Sequence, residues 1–146
     1  NDFVLPSFAA QVAAIESGHA EPCIKVGDLS RIRDFLDVRD VVDAYIRLIA
    51  IARDLPENVS IFNVSSGEGR SIRSLLDELQ ALSRKNFVIE VDPDRVRPSA
   101  VDIVSVVCDS SKLRAATGWA PSHPIRETVA ALLDERRAEL NGGLAS

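Results

Sequence analysis

Two groups of residues have the types needed to hold a phosphate. Gly67-Glu68-Gly69 follows a strand-like run and precedes a helical one. A glycine-rich turn in that place can cradle a dinucleotide pyrophosphate on backbone N–H groups. The full fingerprint needs a third glycine, and Ile72 stands in its place, so a tight strand-to-helix turn accounts for the pair better. The second group is arginine. Arg31, Arg33 and Arg39 are interleaved with Asp34, Asp37 and Asp40, and Arg95 and Arg97 lie in a loop between Pro93 and Pro98. A guanidinium stays charged and meets two phosphate oxygens at once. The competing explanation is a solvated charged face, from which Arg97, wedged before Pro98, stands apart.

The other reactive side chains lack partners at catalytic spacing. His19 follows a helix end and His123 precedes a helix start, which predicts surface positions for both. Asp37/Asp40 and Asp92/Asp94 are paired carboxylates, but positions at helix starts and turns already account for them, and no metal site is expected. No nucleophile sits in an elbow motif. Tyr45 is the sole tyrosine, and the fourth residue after it is Ile49.

The elements that must position these residues can be read from periodicity. Leu5, Phe8, Val12 and Ile15 fall at helical spacing, with Gly18 as the stop. Pro22 to Val26 reads as a strand and Gly27 to Arg33 as a loop. Asp37 can cap a helix whose stripe is Val41, Tyr45, Leu48 and Ala52. Val59 to Val64 reads as a strand, and Ser71 caps a helix faced by Ile72, Leu75, Leu76, Leu79 and Leu82. Phe87 to Val91 and Val101 to Cys108 have strand character. Asp109 begins a short helix ending at Gly118, and Pro124 suits the first position of a last helix carried by Ile125, Val129, Leu132 and Leu133. The tail beyond Leu140 should fray. Helices alternating with short strands make the class α/β, and the openness of the set suggests a sheet with members elsewhere.

Composition narrows the function classes. The 146 residues carry 17 basic and 22 acidic side chains, a net charge of −5, which argues against a nucleic-acid partner and gives no reason to expect a membrane. The longest apolar stretch, Ala44 to Ala52, is broken by Arg47 and too short to span a bilayer. Cys23 and Cys108 are far apart with no metal-ligand spacing, as in reduced thiols of a cytoplasmic protein. The chain begins at Asn1 and has no methionine, which reads as a fragment or processed product.

Several segments in register resemble a known family. They are Phe3-Val4 with Phe8-Ala9-x-Gln11, then Arg33-Asp34-Phe35-Leu36-Asp37-Val38-Arg39-Asp40-Val41-Val42-x-Ala44-Tyr45, then Asn63-Val64-x-Ser66-Gly67. Arg97-Pro98-Ser99 follows, and finally Asp109-x-Ser111-Lys112-Leu113 with Thr117-Gly118-Trp119-x-Pro121. Together they resemble the C-terminal part of extended short-chain dehydrogenases/reductases, the NAD-dependent epimerase/dehydratase family. The Asp37–Val42 and Arg97–Ser99 segments are most similar to its GDP-4-keto-6-deoxy-mannose reductase and GDP-mannose 4,6-dehydratase branches. Ala100 stands where members often have an acidic residue, Cys108 where they usually have glycine, and Ser7 where dehydratases often have lysine.

The resemblance implies a single C-terminal nucleotide-sugar-binding fragment over 1–146, the substrate-binding portion of an extended Rossmann-type fold. It would include the last helix and edge strand of the Rossmann sheet, with 37–64 packing on an N-terminal cofactor half that is absent and 141–146 frayed. Arg33 and Arg97 would contact the diphosphate, Arg97 or else the adjoining ribose, and Val4 would lie against the guanine. The implied partners are a GDP-sugar and the missing half, and homodimers are common in the family. NAD or NADP would serve the parent protein, an oxidoreductase or lyase, and this chain, lacking the cofactor motif and the Tyr-x-x-x-Lys pair, would be inactive and aggregation-prone alone. Epimerase chemistry remains open. The alternative is a non-catalytic nucleotide-sugar-binding or interaction module.

Overall fold

The computed structural model describes residues 3–55, 59–96 and 103–142. Its class is α/β, and the chain divides into two compact units. The first takes in residues 1–31, 71–104 and 126–146, and the second takes in 32–70 and 105–125.

The first unit is built around α1 (Val4–Ser17), β1 (Cys23–Val26), α3 (Ile72–Leu82), β4 (Val88–Val91) and α5 (Ile125–Gly142). Leu5, Phe8, Val12 and Ile15 are all buried, as their spacing predicts, with Ala9 and Ala13 beside them. Gly18 ends α1 in the left-handed conformation, where its N–H donates to Ile15 O at 3.1 Å and that of His19 to Ala14 O at 2.9 Å. β1 and β4 pair in parallel, Ile24 opposite Ile89 and Val26 opposite Val91. Parallel strands need a crossover, and here the excursion carries residues 32–70 of the second unit as well as α3. The α3 face of Ile72, Leu75, Leu76 and Leu79 is buried, with Ser71 Oγ accepting from Ser74 N at 3.1 Å as its cap. Val129 and Leu133 of α5 are buried.

The second unit holds β2 (Ile32–Asp34), α2 (Val38–Ile51), the beginning of β3 (Gly69–Ser71) and α4 (Ser111–Thr117). Its core is Ala44, Leu113 and Trp119, with Leu36, Leu48, Phe62 and Val64 packed around them. Asp37 caps α2 as expected, accepting from Arg39 N at 2.8 Å.

Several expectations need correcting. Ile32–Asp34 is a strand although two of its three residues are charged, which is why it reads as loop. Val59 to Val64 forms no strand. Its alternation is real, because Phe62 and Val64 face the core while Val59 and Ile61 are 77% and 78% exposed. A strand also needs a hydrogen-bonded neighbour, and none is present for it among the described residues. Of the Val101–Cys108 run, Val101 and Asp102 lie outside the described residues, and the rest makes a single parallel bridge, Ser105 to Ile32. The α2 stripe is also displaced. Ala44 is buried and Tyr45 is 56% exposed, in line with exposed Val38, Val42, Ile46 and Ile49. Apolar residues surround that helix, so periodicity alone could not choose its inner face. Pro124 immediately precedes α5, and α5 runs on through Leu140 to Gly142, beyond which residues 143–146 are not described.

Candidate functional site

The candidate site is centred on β2, a three-residue strand that carries Arg33. So short a strand holds its place only through what borders it. It pairs with β3, and Val106 N donates to Ile32 O at 3.0 Å. The stronger restraint is Asp34. Its carboxylate accepts from Ser66 N at 2.9 Å, Ser66 Oγ at 2.6 Å, Gly67 N at 3.1 Å and Cys108 N at 3.3 Å. One anion therefore joins β2 to the Ser66–Gly67 turn and to the chain at Cys108.

A second layer holds that turn. Arg114 Nη2 donates to Ser66 O at 2.8 Å, and its Nε donates to Ser110 Oγ at 3.1 Å. Ser110 Oγ donates to Ser65 O at 3.1 Å and Ser65 Oγ to Cys108 O at 3.0 Å. Asn63 Nδ2 donates to Asp109 O at 3.2 Å.

Both glycines of the Gly67–Gly69 pair have structural reasons, as a tight turn requires. Gly67 has φ of +78°, a conformation that costs other residues about 1–2 kcal/mol. At Gly69 a Cβ would lie 2.8 Å from Ile32 Cγ2 and 2.9 Å from Val107 Cγ2. Gly69→Ala should therefore force both side chains aside and lower stability by about 1–3 kcal/mol, read as an earlier urea midpoint. An unchanged midpoint would show that Ile32 and Val107 can give way freely.

Arg39 grips Asp37 through two bonds of 2.8 Å, Arg31 is 3.0 Å from Asp28, and Arg95 is 3.3 Å from Asp92. These fit the charged-face explanation. Arg33 is half-buried, and its Nη1 donates to the carbonyl of Ile32 at 2.8 Å. Val4 is the first residue of α1 and is half-buried. Arg97 lies outside the described residues.

His123 is not the simple surface residue its position predicts. Asp40 is buried in the first turn of α2 and receives four donors: Ser122 N at 3.1 Å, Ser122 Oγ at 2.9 Å, His123 N at 3.2 Å and the His123 Nδ1 edge at 2.7 Å. Burial pushes the Asp40 carboxyl upward, and the bonds from His123 and Ser122 more than offset it, leaving it below the usual carboxylate range. The sequence signal for this contact was weak, because the partners are about eighty positions apart.

The turn at Gly67 does not fit a nicotinamide cofactor. The N–H groups of Ser66 and Gly67 that could face a pyrophosphate are already bonded to Asp34, and a carboxylate beside them would repel one. Tyr45 is exposed on α2 with Ile49, not lysine, one turn later. Among the described residues no group of three or more His, Cys, Asp or Glu is placed to hold a metal ion. No helix of the described residues is long and apolar enough to cross a membrane.

Residues 1–132 match the model of the GDP-mannose 4,6-dehydratase family. The chain belongs to that family. It is 33% identical over 135 residues to GDP-6-deoxy-D-mannose reductase of Pseudomonas aeruginosa, covering 92% of this chain and 42% of that protein. It is 31% identical over 99 residues to UDP-arabinose 4-epimerase 1 of Arabidopsis thaliana, covering 68% of this chain and 22% of the relative. Among solved structures it resembles that of RMD from Pseudomonas aeruginosa complexed with NADPH. The TM-score is 0.82 and the identity 32%, over 94% of this chain and 43% of the other. The fold is thus that of the Rossmann-type epimerase/dehydratase proteins, and the chain spans less than half the length of these relatives.

Proposed function

We propose that this chain is the GDP-sugar-binding part of an NAD(P)-dependent nucleotide-sugar reductase or 4,6-dehydratase of the cytoplasm. The observation that carries this reading is the family match over residues 1–132, joined to 33% identity with a GDP-6-deoxy-D-mannose reductase. Arg33 and Arg97 contact the diphosphate and Val4 lies against the guanine. Two guanidiniums answer a group of about two negative charges. Binding energy gathered at this handle orients the sugar for chemistry performed elsewhere.

The cofactor and the proton-transferring residues belong, on this reading, to a Rossmann half outside these 146 residues. The exposed α2 face of Val38, Val42, Tyr45, Ile46 and Ile49, with Val59 and Ile61, supports a packing partner for residues 37–64. Alone, the chain binds no nicotinamide and transfers no hydride. With its other half it transfers hydride between NAD(P) and the sugar.

Calorimetry with GDP on the chain combined with its cofactor half tests the assignment. Arg33→Ala should weaken GDP binding roughly tenfold or more, the loss of one charge-assisted contact. Binding that is unchanged in Arg33→Ala and Arg97→Ala would reject the nucleotide-sugar reading. GDP binding without hydride transfer in the combined protein would instead favour a non-catalytic binding module, a reading that the bonded Ser66–Gly67 turn keeps open.

A further inference from the structure

We infer that Asp34 is a positioning residue for the diphosphate contact, acting through Arg33. The inference rests on the reading that Arg33 meets the diphosphate. Asp34 follows Arg33 on a strand only three residues long, and its carboxylate receives four donors from two other segments. Bonds to an ionised acceptor are about twice as strong as neutral ones. This carboxylate is therefore a firmer tie on β2 than the single Val106 N to Ile32 O bond on its flank.

The tie and the binding group share one peptide unit. Successive side chains of an extended strand leave on opposite faces, so Asp34 anchors one face while Arg33 is presented on the other. Arg33 Nη1 is itself bonded to Ile32 O, so its guanidinium is referenced to the β2 backbone. Where that backbone shifts, this bond shifts with it. A free arginine side chain has much rotamer entropy to lose, and a bidentate grip on phosphate works when the fork is already in place. Loosening β2 at Asp34 therefore weakens the grip without removing the charge that makes it.

The Ser66–Gly67 turn has the opposite role from the one its glycines suggest. Its N–H groups do not receive the nucleotide; they hold the aspartate that fixes the arginine that does. The same contacts explain why Arg114, bonded to Ser66 O and Ser110 Oγ, lies behind that turn.

The test is a double-substitution cycle read by calorimetric GDP affinity, in the protein as it occurs with whatever sequence flanks these residues. Asp34→Asn keeps the shape and loses the charge, and should weaken GDP binding about five- to tenfold. Arg33→Ala should weaken it about tenfold or more, and the double variant no more than twofold beyond Arg33→Ala alone, because one change acts through the other. A purely structural aspartate would lower the melting temperature and give factors that multiply. Multiplying factors, unchanged affinity in Asp34→Asn, or tighter binding from relieved repulsion each overturns the inference. Should Asp34→Asn fail to fold, Ser66→Ala removes one donor to the carboxylate and replaces it in the same cycle, with about a two- to threefold loss expected and the same rule of non-additivity. If Arg33→Ala itself leaves GDP affinity unchanged, the placing of Arg33 on the diphosphate has failed and this inference with it. If Arg33→Ala weakens binding and Asp34→Asn does not, the inference alone has failed.

Discussion

Trp119→Ala should be among the most damaging single substitutions in the second unit, costing about 3–5 kcal/mol in urea denaturation followed by circular dichroism. Trp119 is 1% exposed and packs with Ala44 and Leu113 at the centre of that core. Removing its ring opens a cavity that Leu36, Leu48, Phe62 and Val64, already packed at the rim, can fill only in part. The indole has a second function. Its Nε1 donates to Asp40 O at 3.0 Å, and the same Asp40 holds Ser122 and His123 through its carboxylate. The connector from Trp119 to His123 is thus clamped to the first turn of α2 at both ends. Trp119→Phe keeps most of the volume and loses the donor, so it should cost only about 1–2 kcal/mol. Equal costs for the two variants would show that the hydrogen bond, and not the ring volume, dominates. Trp119 is the sole tryptophan of these 146 residues, so the fluorescence of this chain reports unfolding of that core directly.

The parts of the fold legible in the sequence are those governed by local rules. The α1 face, the Gly18 stop, the Asp37 cap and the Ser71 cap each depend on residues within a turn of one another. The family, too, was legible, because its segments keep their residue types in order along the chain. What could not be read depends on partners distant in sequence. Val59–Val64 has the alternation of a strand and no neighbour among the described residues to make it one. Ile32–Asp34 has the charges of a loop and becomes a strand because β3 and Val106 border it. The role of Asp34 escaped for the same reason. It stands inside an alternating run of arginines and aspartates, where its charge suggests surface pairing, and its donors arrive from positions 66, 67 and 108. Arg33, by contrast, entered only through the family resemblance, since nothing in its spacing separates it from Arg31 or Arg39.

The ion pair of Glu16 with Arg137 should carry a comparable share of the first unit's stability. The two side chains are 7% and 15% exposed and meet in a fork, Nε to Oε2 and Nη2 to Oε1, both at 2.7 Å. Each member also reaches a third element. Glu16 accepts from Arg84 N at 2.7 Å, and Arg137 donates to Leu82 O at 3.1 Å, the last carbonyl of α3. The pair therefore joins the C-terminal ends of α1 and α3 to α5. Arg137→Ala leaves Glu16 charged and largely buried, and breaking such a pair from one side costs about 3 kcal/mol or slightly more. Exchange of both partners for apolar residues, Glu16→Leu with Arg137→Met, should cost less than Arg137→Ala alone, because no charge is stranded. The pH dependence gives a second reading. The bonds from Arg137 come first among the causes that lower the Glu16 carboxyl; burial opposes them and the Arg84 N–H adds to them. With the folded value below the unfolded one, the contribution is complete above the unfolded pKa of about 4.3 and is lost as pH falls through the folded value. Denaturation midpoints of the parent protein should therefore fall below about pH 4.3 more steeply than those of Arg137→Ala, in which Glu16 loses the main cause of its shift. Parallel curves for the two proteins over that range would mean that the fork contributes nothing to acid stability.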